Sequence, residues 1–351
     1  MVTDVVARKL TQPLRKQTSC VNFNMDPARV SKTSFYNEYF GHKVSDLTTV
    51  HRHLRQNHRQ MIYLAGDSSM DNKYWFAEEG RAVNGYETVL EPPISKQDIA
   101  YWMNREIVKR NFSNQYAAIN CAVEHATIGS KCCGLSPQDE FLRGHIDTND
   151  VLVISIGGND VALTPAPCTI LSMLSLLCCT TTDCINNYSC GCALPVDDYC
   201  KGCACGAASN LCACPPGLGY FVHLFGTRIQ HIVDRLTSIK RPKLIVVCMI
   251  YFLDEHPTAS WANTVLSILG YDSNPLKLQT VIKQVFRLAT QKIRISGSEV
   301  LALPLFECLN GKHSADYCAR VEPSAVGGEK LASFILEAIL RHGGSYQSPR
   351  M

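Results

Sequence analysis

The chain has 351 residues, enough for one large α/β domain with insertions or for two modest domains. Its 34 basic and 31 acidic residues leave a formal net charge of +3, which excludes the strongly basic composition typical of nucleic-acid-binding proteins. Basic residues gather only near the start, at Arg8, Lys9, Arg15 and Lys16. We interpret this stretch as a disordered lead-in, with an organelle-targeting segment as the alternative.

Hydrophobic segments of membrane length are absent from the sequence. No apolar run of the secretory type follows Met1, and the most apolar long stretch, 168–179, is far shorter than the roughly 20 residues that span a bilayer. We therefore expect a cytoplasmic protein without a membrane span.

Five short apolar segments predict the strands of a parallel sheet. They lack strict alternation, which suits strands covered on both faces. In chain order they are 61–65, 116–120, 151–156, 243–250 and 299–305.

Helical patterns lie between and after these segments. Apolar residues recur at helical spacing in 97–112, 220–236, 276–295 and 324–340, and Ser324 is a good N-cap for the last. The alternation of strands and helices predicts a doubly wound α/β sandwich.

Residues 161–218 break this alternation. They are rich in Cys, Thr, Gly, Pro and Asn and are too long for an ordinary connection, so we interpret them as an insertion after the third strand. The predicted organisation is an N-terminal extension with a leading helix at 1–58 and one domain at 59–345 that carries this insertion.

Polar signatures follow the first and third predicted strands. The first strand runs into Gly66, Asp67, Ser68 and Ser69, and the third into Gly157, Gly158, Asn159 and Asp160. Ligands bind beyond the carboxyl ends of the strands in open α/β sheets. A hydroxyl nucleophile needs to lie on a tight turn, with a base to accept its proton and donors to bind the oxyanion. Here Gly66 permits the turn, Ser68 supplies the hydroxyl and Asn159 supplies an amide donor.

The segments AGDSS at 65–69 and GGND at 157–160 resemble the first and third signature blocks of the SGNH (GDSL-like) hydrolases. The resemblance extends over roughly 61–340. It implies a flavodoxin-like three-layer α/β/α sandwich and an enzyme that cleaves esters or thioesters of lipids or acylated sugars. It also implies that Ser68 is the nucleophile and Asn159 an oxyanion donor.

The second block departs from the family pattern. An Asn-x-Gly-x-x-Gly-Ala pattern supplies a glycine N–H to the oxyanion hole in the family. Here the segment is INCAVEHAT at 119–127, with Ala122 and His125 at the glycine positions. His125 either narrows the site, joins the chemistry, or is a surface histidine without a catalytic part.

The last block departs further, because the family's Asp-x-x-His-Pro is absent. Glu322 in VEPSAVGG takes the histidine position, and Ala319 takes the aspartate position. A carboxylate is a weak base at its ordinary pKa, and the following helix N-terminus lowers that pKa unless burial raises it. The candidates for the base are Glu322, His313 or Asp316 just upstream, and His256 after the fourth strand; an impaired enzyme is the remaining alternative. Arg320 is expected to form an ion pair with Glu322 or to bind a substrate carboxylate.

Ten of the 18 cysteines lie between Cys178 and Cys214. Thiolates at this spacing suit one structural Zn²⁺, with disulfides or an unliganded loop as alternatives. The candidate ligands are Cys200, Cys203, Cys205, Cys212 and Cys214.

The resulting expectation is a serine esterase that acts on a small acyl substrate and uses no cofactor for catalysis. A non-catalytic binding module on the same fold is the chief alternative. The second alternative is a zinc-stabilised interaction protein that binds its partner through the cysteine-rich insertion.

Overall fold

The computed structural model describes residues 29–36, 40–191, 204–258 and 260–343. A five-stranded parallel sheet lies at its centre. The strands are β1 (Gln60–Gly66), β2 (Tyr116–Asn120), β3 (Val151–Ser155), β4 (Leu244–Met249) and β5 (Glu299–Pro304). Their spatial order is β5-β4-β3-β1-β2, the flavodoxin-like order. All five predicted strands are confirmed to within one residue at each end.

Strand β1 shows why these segments read as continuous apolar runs. Met61, Tyr63 and Ala65 belong to the hydrophobic cluster on one face of the sheet, and Ile62 and Leu64 to the cluster on the other. Successive side chains of a strand point to opposite faces, so a strand covered on both sides must be apolar at every position.

Helices form the two outer layers. The longer ones are α1 (Val44–Leu54), α2 (Ile99–Lys109), α3 (Pro137–His145), α4 (Pro167–Cys178), α5 (Thr182–Tyr188), α6 (218–236, with a π-helical segment at His223–Arg228), α7 (Asn263–Ile268), α8 (Pro275–Leu288) and α9 (Ala325–His342). Helices α2 and α9 cover one face, and α1, α3, α6 and α8 cover the other. The predicted sandwich is confirmed, and Ser324 caps α9 by accepting the Gly327 N–H at 3.1 Å.

Shorter elements complete the described residues. The short helices are Lys32–Tyr36, Tyr86–Val89, Ile128–Cys133, Gly158–Ala162 and Ala204–Ser209, with 3₁₀ turns at Gln56–His58, Asn210–Cys212, Thr290–Lys292, Leu305–Glu307 and Ser314–Asp316. Four two-stranded ladders pair Val30–Ser31 with Leu90–Glu91, Glu79–Arg81 with Ile94–Lys96, Cys190–Gly191 with Ala213–Cys214, and Tyr317–Cys318 with Glu322–Pro323.

The insertion between β3 and α6 is helical over much of its described length. Its helix α4 is held to α6 by a hydrogen bond between the Thr169 and Tyr220 hydroxyls at 2.6 Å. Its helix α5 is followed by Ser189, whose carbonyl accepts a hydrogen bond from Arg287 of α8 at 2.9 Å. The insertion therefore covers the outer side of α6 and α8 and forms a wall above that layer.

Two further findings concern the ends and the hydropathy of the chain. Val30, Phe35 and Leu47, within the predicted N-terminal extension and leading helix, belong to the same hydrophobic cluster as the sheet.

Over the described ranges, no single helix is long and apolar enough to cross a membrane. Helices α4 and α5 together, with a bend of 103° between them, reach membrane-like hydropathy.

Candidate active site

The turn after β1 brings Ser68 to the carboxyl edge of the sheet. Gly66 has a φ of +129°, and a Cβ at this position would lie 1.7 Å from the Ser155 carbonyl oxygen. Only glycine fits such a close approach, so β1 can run directly against the end of β3. The Asp67 N–H then donates to the Ser155 carbonyl at 3.1 Å.

Asp67 joins this turn to the loop after β3. Its carboxylate accepts the Ser69 hydroxyl at 2.6 Å, the Ser69 N–H at 3.0 Å and the Gly157 N–H at 2.8 Å. The Gly158 N–H adds a further hydrogen bond, although burial still raises the pKa of Asp67. Asp67, Ser69, Gly157 and Gly158 thus hold the two loops in register beneath Ser68.

Glu322 meets Ser68 in the interior of the protein. Burial is the main cause that raises the pKa of Glu322 to about 8. The nearby Ser68 side chain opposes the rise, and the Asp67 and Glu124 carboxyls add to it. Glu322 is only 3% exposed. Burial therefore outweighs the helix N-terminus of α9 that follows it.

The other candidate bases lie outside the pocket that contains Ser68. His313 is exposed, and His256 binds Asp254 at 3.1 Å with most of its side chain in solvent. Asp316 is paired with Lys330 at 2.7 Å. The structure therefore brings Ser68, Asn159 and Glu322 together and leaves His256, His313 and Asp316 apart from them.

An apolar pocket opens above these three residues. Its lining is almost entirely apolar with a few polar groups, as is common in small-molecule sites. The wall residues come from the insertion, α6, α8, the end of β4 with the segment after it, and the hairpin before Glu322; they include Met173, Phe221, Phe225, Met249, Leu253, Trp261, Leu278, Val281, Ile282, Val285 and Val321. Sequence reasoning missed this pocket, because its wall is assembled from segments that lie far apart in the chain.

The Asn159 amide, the expected oxyanion donor, and the neighbouring Ser68 N–H both bind a carbonyl of the protein. The Asn159 side-chain amide donates to the Glu124 carbonyl at 2.8 Å and to the Ala126 carbonyl at 3.0 Å. The Ser68 N–H also donates to the Glu124 carbonyl, at 3.0 Å. The Glu124 oxygen therefore occupies the point where an oxyanion would meet these donors.

The Glu124 carbonyl belongs to a four-residue turn. The Ala126 N–H donates to the Val123 carbonyl at 2.9 Å, so Glu124 and His125 are the central residues, and φ of His125 is negative. Rotating the central peptide would turn the His125 N–H towards the donors in place of the carbonyl. That rotation converts a type I turn into a type II turn, which requires a positive φ at the second central residue and favours glycine there.

The ring and neighbours of His125 do not enter the pocket. His125 is exposed and packs edge-on against Phe40, with 4.4 Å between ring centroids.

Asp160 supports the segment that follows His125, because its carboxylate accepts the Ile128 N–H at 2.6 Å and the Gly129 N–H at 3.1 Å. Burial raises the pKa of Asp160 to about 6.

Arg320 anchors the hairpin that carries Glu322. Its guanidinium donates to Asp272 at 2.8 Å, to Asn263 at 3.0 Å and to the Asp254 carbonyl at 3.1 Å. Arg320 is buried, and the structure gives it an ion pair with Asp272 on another segment.

The cysteine-rich insertion is described only in part. Cys200, Cys203 and the side chain of Cys205 lie outside the described residues, while Cys212 is half-buried and Cys214 is exposed. Within the parts of the chain that the structure covers, no three His, Cys, Asp or Glu residues are grouped to hold a metal. Cys168, at the start of α4, is disulfide-bonded. Zinc binding stays a prediction.

No protein-family model and no curated protein matches the chain in sequence. Its fold is similar to that of a lipase from a goat rumen metagenome, at 12% identity and a TM-score of 0.43, over 80% of this chain and 97% of that one. A tryptophan-to-isoleucine variant of an acetyl xylan esterase from Geobacillus stearothermophilus matches at 13% identity and a TM-score of 0.42, over 83% and 97%. A family 3 carbohydrate esterase from Clostridium thermocellum matches at 14% identity and a TM-score of 0.38, over 81% of this chain and 98% of that one. Similarities this distant carry no argument about chemistry, which has to come from the site itself.

Proposed function

We propose that the chain is a serine esterase of the SGNH type, in which Ser68 and Glu322 form the catalytic pair. The observation that carries this proposal is that the buried residues Ser68 and Glu322 line the same apolar pocket, close enough for the Ser68 side chain to lower the pKa of Glu322. A carboxyl with a pKa near the working pH is a competent general base.

In the proposed reaction, the Ser68 oxygen attacks the carbonyl carbon of the ester, and the hydroxyl proton passes to the Glu322 carboxylate. The C–O bond to the leaving alcohol then breaks, and Glu322 returns the proton to that alcohol. Water attacks the acyl-Ser68 ester by the same route in reverse and releases the acid. No cofactor takes part.

Oxyanion stabilisation requires a change at Glu124. The Asn159 amide and the Ser68 N–H are proposed to exchange the Glu124 carbonyl for the developing oxyanion, which is the stronger acceptor. A substrate carbonyl must therefore displace a bond that the resting protein already makes.

The occupied donors also favour the second candidate function. If the Glu124 carbonyl keeps its place, the pocket binds an apolar ligand without cleaving it. The same residues would then form a binding module that uses the pocket walls alone.

Hydrolysis of p-nitrophenyl butyrate by the variant Ser68→Ala separates the two functions. We expect the variant to lose kcat by about three orders of magnitude or more, because the nucleophile is removed. Ser298→Ala, in the loop before β5 at the opposite edge of the sheet, is the matched control and should match the wild type. Equal rates in the wild type and Ser68→Ala would contradict the proposal, and a wild type without activity would favour the binding module.

A further inference from the structure

Helix α4 presents apolar side chains to solvent. Ile170, Leu171 and Leu174 are 47%, 67% and 36% exposed, while Met173 and Leu176 on its other side are buried. A helix on the surface of a globular domain ordinarily carries polar residues on its outer face. This helix is apolar on both faces.

The segment around α4 also carries no charge. From 161 to 182 the sequence contains no Asp, Glu, Lys or Arg. Helices α4 and α5 together reach membrane-like hydropathy. The bend of 103° between them prevents them from forming one straight helix, and neither is long enough by itself to cross a bilayer. An apolar segment of this length is too short to cross a bilayer and belongs either in a protein core or at a membrane interface.

The buried side of α4 forms part of the wall of the Ser68 pocket, next to the exposed face of the helix. Met173 of α4 and Trp261 both line that pocket, and Trp261 is still 40% exposed. The Lys277 ammonium donates to the Leu177 carbonyl, so the start of α8 meets the end of α4. Large apolar side chains with more than a third of their surface exposed therefore surround this region, and we call them the apolar rim: Ile170, Leu171, Leu174, Trp261, Ile268 and Leu276.

We propose that the apolar rim docks on an uncharged lipid surface, with the pocket mouth turned towards it. Contiguous exposed apolar patches mark interaction sites, and tryptophan favours the boundary between water and lipid. A lipid surface suits a helix α4 without charges and leaves the pocket accessible to single lipid molecules, whereas a rigid second copy of the chain would cover the mouth. Delivery of an ester from the lipid into the pocket rests on the proposed hydrolase function; docking itself does not.

Co-sedimentation with phosphatidylcholine vesicles tests the docking. The double variant Leu171→Asp/Leu174→Asp should bind at least tenfold more weakly than the wild type, since burial of each leucine contributes roughly a factor of ten or more. Ile239→Asp is the matched control, because Ile239 is 61% exposed in the loop before β4, at the opposite edge of the sheet. Binding should persist in about 0.5 M NaCl, where interactions between exposed charges are screened.

Three outcomes would overturn the docking proposal. They are a wild type that does not sediment with vesicles, an equal loss in Ile239→Asp, and a wild-type dimer that the double variant dissociates in analytical ultracentrifugation without any vesicle binding. Ser68→Ala should bind vesicles as the wild type does, so failure of the hydrolase proposal leaves this measurement unchanged. Unfolding temperatures of the variants establish that each is folded.

Discussion

Glu322 is the residue whose environment decides the chemistry of the site. A glutamate at the start of a helix would ordinarily stay ionised at neutral pH. Burial beside the Asp67 and Glu124 carboxyls raises its pKa to about 8, so most of the carboxyl is protonated at neutral pH and the ionised fraction that can act as a base grows as pH rises. The sequence placed Glu322 in the family's histidine position but gave no measure of this burial.

The raised pKa of Glu322 has a consequence for stability. Between its unfolded pKa near 4.5 and its folded pKa of about 8, the folded state keeps a proton that the unfolded state has lost. The free energy of unfolding therefore falls as pH rises through this window, by up to about 1.4 kcal/mol per pH unit from this group. Glu322→Gln removes the contribution, so the variant should gain stability relative to the wild type between about pH 5 and about pH 8. Urea unfolding at several pH values measures the difference, and a difference that does not depend on pH would contradict the assigned pKa.

His125 controls the orientation of the Glu124 carbonyl. A non-glycine residue with positive φ costs roughly 1–2 kcal/mol, which opposes the peptide rotation that frees the oxyanion donors. His125→Gly should therefore raise kcat for ester hydrolysis by about five- to thirtyfold while KM changes little. His125→Ala is the control, since it removes the same ring but keeps the penalty. If both variants raise kcat equally, the effect comes from the ring and not from the turn.

At the scale of elements, the hairpin Tyr317–Cys318/Glu322–Pro323 positions Glu322, the proposed base. Its turn contains Ala319 and Arg320, both with positive φ, at +49° and +69°. The three hydrogen bonds of the Arg320 guanidinium to Asp272, Asn263 and the Asp254 carbonyl hold this unusual turn in place. Arg320 is thus a positioning residue that acts through Glu322.

Arg320→Lys keeps the charge but cannot reproduce the planar fork that reaches three acceptors. We expect kcat to fall by about ten- to a hundredfold, because a displacement of the base by about 1 Å has an effect of that order. The apparent pKa of the pH–rate profile should also fall, since a looser hairpin lets water reach Glu322. Arg241→Lys, whose arginine pairs with Asp234 at the surface, is the control. A lower kcat with an unchanged pH profile would indicate general destabilisation.

The elements themselves were predictable where burial is uniform along the chain. Each sheet strand is a continuous apolar run, and Gly66 and Gly157 mark the turns at the strand ends. The position of the Glu124 carbonyl was not predictable, because it depends on the φ angle of one residue in a turn. The pocket was not predictable either, since Met173, Phe225 and Val281 come from helices far apart in the chain.

At the scale of the whole molecule, the insertion and the hydrolase-like core form one site. The sheet places Ser68, Asn159 and Glu322 at its carboxyl edge, and α4 of the insertion adds a wall to the pocket above them. Removing the insertion would therefore expose the apolar faces of α6 and α8 as well as open the site.

Labelling with a fluorophosphonate probe over a range of pH tests the pairing of Ser68 with Glu322 most directly. The wild type should label at a rate that rises with pH around a midpoint near 8. The probe reacts with the Ser68 oxygen, and only ionised Glu322 can accept the proton of the Ser68 hydroxyl. Ser68→Ala should not label, and Glu322→Gln should label slowly and without this pH dependence. His256→Ala and His313→Ala should both follow the wild type. Wild-type labelling in Glu322→Gln, or labelling that survives in Ser68→Ala, would contradict the account.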